Sequence, residues 1–230
     1  MTAHFPSKRT LEMDKKYLLF DFDGTVIDNS EGICNCIRYA LDKMGVPVPD
    51  KNTLRKFIGP SLFDSFCNYC ERDEAKAARF VELYRERYAP VGYLETRLYD
   101  GITETLVKLK NDGCTLAVCS SKPLEFVEKI ADKLGIYALF EFFSCPGFAA
   151  HDSDKRSLIE NAVAHFGADK SEVLMIGDTK FDINAANEAH VDSLGALYGF
   201  AEDGELEKCG ATALAASPTD IYGVISTWKN

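Results

Sequence analysis

Tyr17-Leu18-Leu19-Phe20-Asp21-Phe22-Asp23-Gly24-Thr25 runs from four consecutive apolar residues into two aspartates, a glycine and a threonine. An apolar tetrad with no polar face predicts a strand buried on both sides, as in parallel sheets covered by helices above and below. The polar residues that follow mark the carboxyl end of that strand. Three more short apolar runs have this form: TLAVC leading into Ser120, VLMIG leading into Asp178, and SLGALYG around Tyr198. Helical patterns lie between them. Strands alternating with helices predict an α/β fold, a doubly wound parallel sheet with a Rossmann-like core.

One long segment, residues 29–96, breaks the alternation. Ile33, Ile37, Leu41 and Met44 follow helical spacing, as do Phe80, Leu83 and Tyr84, and no strand pattern intervenes. It reads as a helical cap inserted into a core made of residues 15–28 and 97–230, which resumes at the Asp100-Gly101 turn. Residues 1–14 precede the first strand pattern and read as a poorly ordered N-terminal extension.

Bulk composition narrows the classes of function. Hydrophobic residues make up 46% of the 230 and charged residues 27%, ordinary for a compact globular chain. The net charge of −10 argues against nucleic acid or an anionic membrane as a partner. No stretch approaches the roughly 20 apolar residues of a membrane span, and the amino terminus lacks a secretory apolar core. A cytoplasmic location is the expectation. The eight cysteines show no four-ligand metal spacing and read as free, mostly buried thiols. His4, His151, His165 and His190 likewise share no ligand spacing.

In open parallel sheets ligands bind beyond the carboxyl ends of the strands, and here those ends carry Asp21, Asp23, Ser120 and Asp178. Lys155 opens a later helical stretch, and Asp182 lies four residues past Asp178. Such a set suits a phosphate ester. One carboxylate, Asp21, can attack phosphorus, while the second, Asp23, protonates the leaving alcohol and then activates water. A carboxylate and a phosphate repel each other, so the set calls for Mg2+, a small hard cation with oxygen ligands. Asp21 and Asp178 are the expected carboxylate ligands, with the backbone carbonyl of Asp23 as a third. Asp182 is expected in a supporting place or as a helix N-cap. Ser120, or its neighbour Ser121, and Lys155, with Arg156 beside it, are the expected phosphate contacts. Lys122 and Pro123 read as shaping the loop before the next helix.

The motifs DFDGT at 21–25, the serine of CSSKP at 120, Lys155, and GDTKFD at 177–182 occur in the order found in the haloacid dehalogenase-like hydrolases. Within that superfamily the chain resembles the phosphoglycolate phosphatase group with a helical cap after the first motif. The resemblance implies the same roles: Asp21 nucleophile, Asp23 acid and base, Ser120 and Lys155 on phosphate, Asp178 on metal, and a small phosphorylated metabolite as substrate. In the cap, Phe57-Ile58-Gly59-Pro60 resembles the family loop that faces the active site and contributes to substrate choice. A sugar phosphomutase, a nucleotidase or pyrophosphatase, and a non-enzymatic binding protein are the rival readings. In the mutases a histidine stands twelve residues after the nucleophile, where this chain has Ile33.

Overall fold

The computed structural model describes residues 13–58, 61–147 and 154–229. Its first strand, β1 (Tyr17–Phe20), is followed by the two-residue β2 (Ile27–Asp28) and by four helices: α1 (Ser30–Met44), α2 (Lys51–Arg55), α3 (Leu62–Tyr69) and α4 (Glu74–Tyr88). The chain returns through β3 (Arg97–Leu98), α5 (Ile102–Asn111), β4 (Thr115–Cys119), α6 (Leu124–Lys133) and β5 (Phe142–Ser144). The remainder is α7 (Lys155–Phe166), β6 (Val173–Gly177), α8 (Lys180–Ala189), β7 (Asp192–Ala196), α9 (Glu205–Lys208), β8 (Ala213–Ala215) and α10 (Pro218–Ser226).

Six strands form one parallel sheet in the order β5-β4-β1-β6-β7-β8. β1 lies in its interior between β4 and β6, which explains its unbroken apolar run. Alternation divides the side chains between two layers. Leu18, Phe20, Leu116, Val118, Leu174 and Ile176 pack with α5, α6 and α10. Leu19, Ala117, Met175 and Val173 pack on the other face with α7 and α8. The fold is thus the expected doubly wound α/β sheet. β5 and β8, three residues each at the sheet edges, are too short to have been read as strands.

Segment 29–96 forms its own hydrophobic cluster. α1 and α4 supply Ile37, Leu41, Ala77 and Phe80, and Phe57 and Phe66 pack against Phe80 at ring separations of 6.0 and 5.2 Å. The antiparallel pairing of β2 with β3 sets Asp28 opposite Arg97, so the two crossings between this cluster and the sheet run side by side. The Asp28 carboxylate also receives the Arg97 guanidinium at 2.8 Å and the Ser30 hydroxyl at 2.6 Å. Met13, expected in a loose extension, is instead buried against Cys114. The extension's residues 1–12 lie outside the described residues. Among the described residues no helix is long and apolar enough to cross a membrane.

Phe80 is fully buried in the cap cluster, whereas Phe181 is 48% exposed. Phe80→Ala should therefore cost about 3–5 kcal/mol and Phe181→Ala less than about 1 kcal/mol. Urea unfolding followed by circular dichroism measures both, and equal costs would contradict the assigned burial.

Candidate active site

Asp21 is the first residue beyond β1, where its N–H still donates to the Ile176 carbonyl at 2.8 Å. The chain then turns: the N–H groups of Val26 and Ile27 both donate to the Phe22 carbonyl, and Gly24 takes φ +85°. That turn needs glycine for a second reason, because a Cβ at Gly24 would overlap the Asp178 carboxylate. Gly177 plays the same part behind Asp182, whose side chain would meet any added Cβ. These close approaches bring the ends of β1 and β6 together around a set of buried carboxylates.

Asp21, Asp178 and Asp182 each offer an oxygen within 4.8 Å of the others, and all three residues are buried. Lys155, the first residue of α7, enters the cluster and pairs with Asp21 at 2.9 Å and with Asp182. Asp178 is fixed by the Thr25 hydroxyl on one oxygen at 2.8 Å and by the Phe200 N–H on the other at 2.9 Å. Asp182 forms a capping box with Thr179, accepting its N–H at 2.9 Å and its hydroxyl at 2.8 Å. The N-cap is therefore Thr179 and not Asp182, which stands at the third position of the helix: one of its oxygens closes the start of α8 and the other faces Lys155.

The electrostatics follow from burial. Loss of water pushes the Asp21 carboxyl up to about 6, the Lys155 ammonium opposes that rise, and the Asp182 carboxylate adds to it. Burial, then Asp182 and Asp21, also hold the Asp178 carboxyl well above its usual range. Burial works against the charge on Lys155, but Asp182 and Asp21 outweigh it and keep the ammonium strongly protonated. One further observation identifies what the cluster fits: Asp21 Oδ1 is buried with no hydrogen-bond partner among the described residues. An orphaned carboxylate oxygen beside two more carboxylates matches a hard divalent cation with oxygen ligands.

Ser120 is 2% exposed at the end of β4, and its hydroxyl is near enough to the Asp21 carboxyl to offset part of that rise. Ser121 is exposed, so only the first serine of the pair converges on the cluster. Arg156 points away and pairs with Glu160 at 2.9 Å. Asp23 does not join the three carboxylates; Lys122 grips its two oxygens at 3.0 and 2.9 Å. Sequence reading assigned Lys122 to the loop alone, and this contact across 99 residues has no local signal. Thr25 and Phe200 were missed too, although Thr25 belongs to the quoted motif. Of the proposed cap loop, Phe57 and Ile58 are buried in the cap's own cluster. Gly59 and Pro60 lie outside the described residues.

The family model for haloacid dehalogenase-like hydrolase matches residues 18–196. A 5'-nucleotidase of Pseudomonas aeruginosa is 36% identical over 210 residues, covering 91% of this chain and 95% of that one. A phosphoglycolate phosphatase of Colwellia psychrerythraea is 29% identical over 195 residues, covering 81% and 86%. Among solved structures, a haloacid dehalogenase-like family hydrolase from Streptococcus pneumoniae aligns with a TM-score of 0.85 at 28% identity, over 91% of this chain and 98% of that one.

The raised carboxyls set a pH dependence. With Asp21 at about 6 in the fold against an ordinary 3.8, the folded state binds more protons than the unfolded one in that window. Stability of the metal-free protein should thus fall as pH rises from 4 through 6, and the raised Asp178 carboxyl acts in the same direction. A divalent cation held by the same carboxylates removes that penalty. Thermal melts should show magnesium raising Tm by several degrees at pH 7 and by less at pH 5; equal shifts at both would contradict the site.

Proposed function

Because this chain belongs to the haloacid dehalogenase-like hydrolases, we propose that it is a magnesium-dependent phosphatase acting on a small phosphate monoester through a phosphorylated Asp21. The observation that carries the proposal is the unpartnered Asp21 Oδ1, buried beside Asp178 and within the reach of Lys155 and Ser120. A carboxylate that holds a cation through its uncommitted oxygen keeps the other, beside Lys155, for attack on phosphorus.

Asp21, Asp178 and the Asp23 backbone carbonyl would hold magnesium, with Asp182 behind them; its charge lets a carboxylate approach an anionic phosphate. In the first displacement an Asp21 oxygen bonds to phosphorus, the bond to the leaving oxygen breaks, and that oxygen takes the proton of the Asp23 carboxyl. In the second, water attacks phosphorus as Asp23 takes its proton, the bond to Asp21 breaks, and inorganic phosphate leaves. Lys155 and the Ser120 hydroxyl stabilise the transferred phosphoryl oxygens in both.

Hydrolysis is favoured over mutase chemistry by Ile33, which packs against the cap cluster and has no group to hold Asp23 in reserve until a sugar hydroxyl arrives. Nucleoside 5'-monophosphates lead the substrate classes, since the similarity to the Pseudomonas aeruginosa 5'-nucleotidase is both greater in identity and longer than that to the Colwellia phosphatase. Phosphoglycolate is the second.

Phosphate release should be measured across nucleoside monophosphates, phosphoglycolate and sugar phosphates. Asp21→Asn should retain the fold and lose at least about 10³-fold in kcat. Excess EDTA should abolish turnover. Full activity in either case would defeat the mechanism.

A further inference from the structure

Asp23 has been treated as the acid and base, and that assignment rests on the proposed phosphatase chemistry. What holds its carboxylate is a separate matter. The side chain is 29% exposed, yet both oxygens are gripped by an ammonium that is itself only 6% exposed. Burial disfavours the charge on Lys122, but the Asp23 carboxylate more than restores it. A lysine on four rotatable bonds stays in one place only if its other side is packed.

Here the packing comes from the cap. The Lys122 ammonium lies 5.2 Å from the centroid of the Tyr88 ring, a cation facing an aromatic face. Tyr88 is the last residue of α4. Its ring stacks on Tyr84 at 5.4 Å and meets Phe126 edge-on at 5.3 Å. Phe126 lies in the first turn of α6, which begins directly after Lys122-Pro123. Tyr93, just beyond α4, packs on the same Phe126 at 5.5 Å. The cap helix and the core loop therefore share one aromatic cluster, and Lys122 emerges from it toward Asp23.

We propose that Lys122 is the positioning residue for Asp23, clamping its carboxylate where it serves the leaving group, and that Tyr88 makes this placement depend on the seating of the cap. Lys122 acts through Asp23 and has no direct part in phosphoryl transfer. An incidental ion pair would instead lower stability, or lower all rates alike.

The test compares kcat/KM, which reports the first displacement, for benzyl phosphate and p-nitrophenyl phosphate with magnesium present. The alkoxide of benzyl phosphate needs a proton from Asp23, while p-nitrophenolate departs readily without one. Lys122→Met should lose about 10²-fold or more on benzyl phosphate and about tenfold or less on p-nitrophenyl phosphate. In an Asp23→Asn background it should cause no further loss on either ester. Lys122→Gln, which keeps a polar group in the pocket, supplies the same comparison if the methionine variant does not fold. Tyr88→Leu should give a smaller loss with the same leaving-group dependence. The clamp is overturned by equal losses on both esters, by no loss, or by an additional loss in the Asp23→Asn background; the cap link is overturned if Tyr88→Leu matches wild type on both. Absence of hydrolysis by the wild-type protein, or activity retained in Asp21→Asn, would instead defeat the phosphatase reading beneath it.

Discussion

Three buried carboxylates around one ammonium is the constraint that organises this molecule. Among the described residues Lys155 pairs with Asp21 and Asp182 but not with Asp178, so full ionisation of the three carboxylates leaves an excess of negative charge in a region shielded from water. Unit charges a few ångströms apart inside a protein interact far more strongly than in bulk water, and no fold assembles such a group without compensation. The compensation here is partly local. Thr25 and the Phe200 N–H hold Asp178, and the Thr179 cap holds Asp182. What these bonds leave over is one oxygen of Asp21, the atom on which the proposed cation site rests.

The sheet topology supplies the means. β1 and β6 are adjacent and parallel, so their carboxyl ends bring residues 21 and 178 side by side although 157 positions separate them in the chain. Glycine allows the last few ångströms, since an alanine at 24 would occupy the space of the Asp178 carboxylate. α7 then begins at Lys155 with its N-terminal turn aimed into the same crevice, and Asp154 caps it from outside by accepting the Arg156 N–H. The overall charge of −10 bears little on the binding of an anion, because the field at the crevice is set by these few groups, whose own negative excess the proposed cation would offset.

How much of this is legible in the sequence depends on how local each signal is. The strands β1, β4, β6 and β7 announce themselves because strands buried on both faces carry continuous apolar runs. β5 and β8 have half-covered edge positions and only three residues, while β2 and β3 have two each, too few for any period to register. Asp21, Asp178 and Lys155 are legible as strand-end and helix-start residues in family order, and the fold brings them into one cluster. Ser120 is distinguished from Ser121, and Lys155 from Arg156, only by which side chain turns inward. Lys122 is illegible for a stricter reason: its partners Asp23 and Tyr88 belong to distant parts of the chain, and a lysine after two serines looks like any solvated loop residue.

The two lysines divide the site between them, and this division bears on how a helical cap can govern chemistry performed by a different body of the chain. Lys155 is rooted in the core helix α7 and pairs with Asp21, the proposed nucleophile, through core elements alone. Lys122 is rooted in the core loop but leans on the cap's Tyr88, and it pairs with Asp23, the proposed acid. β2 and β3 give the cap a narrow, two-stranded attachment, about which a packed helical unit can swing without disturbing the sheet. Any such motion would leave Asp21 and Lys155 in register while shifting the aromatic support of Lys122. Binding of phosphate and proton transfer to the leaving group would thereby answer to different parts of the structure, the first preformed and the second completed only when the cap is seated.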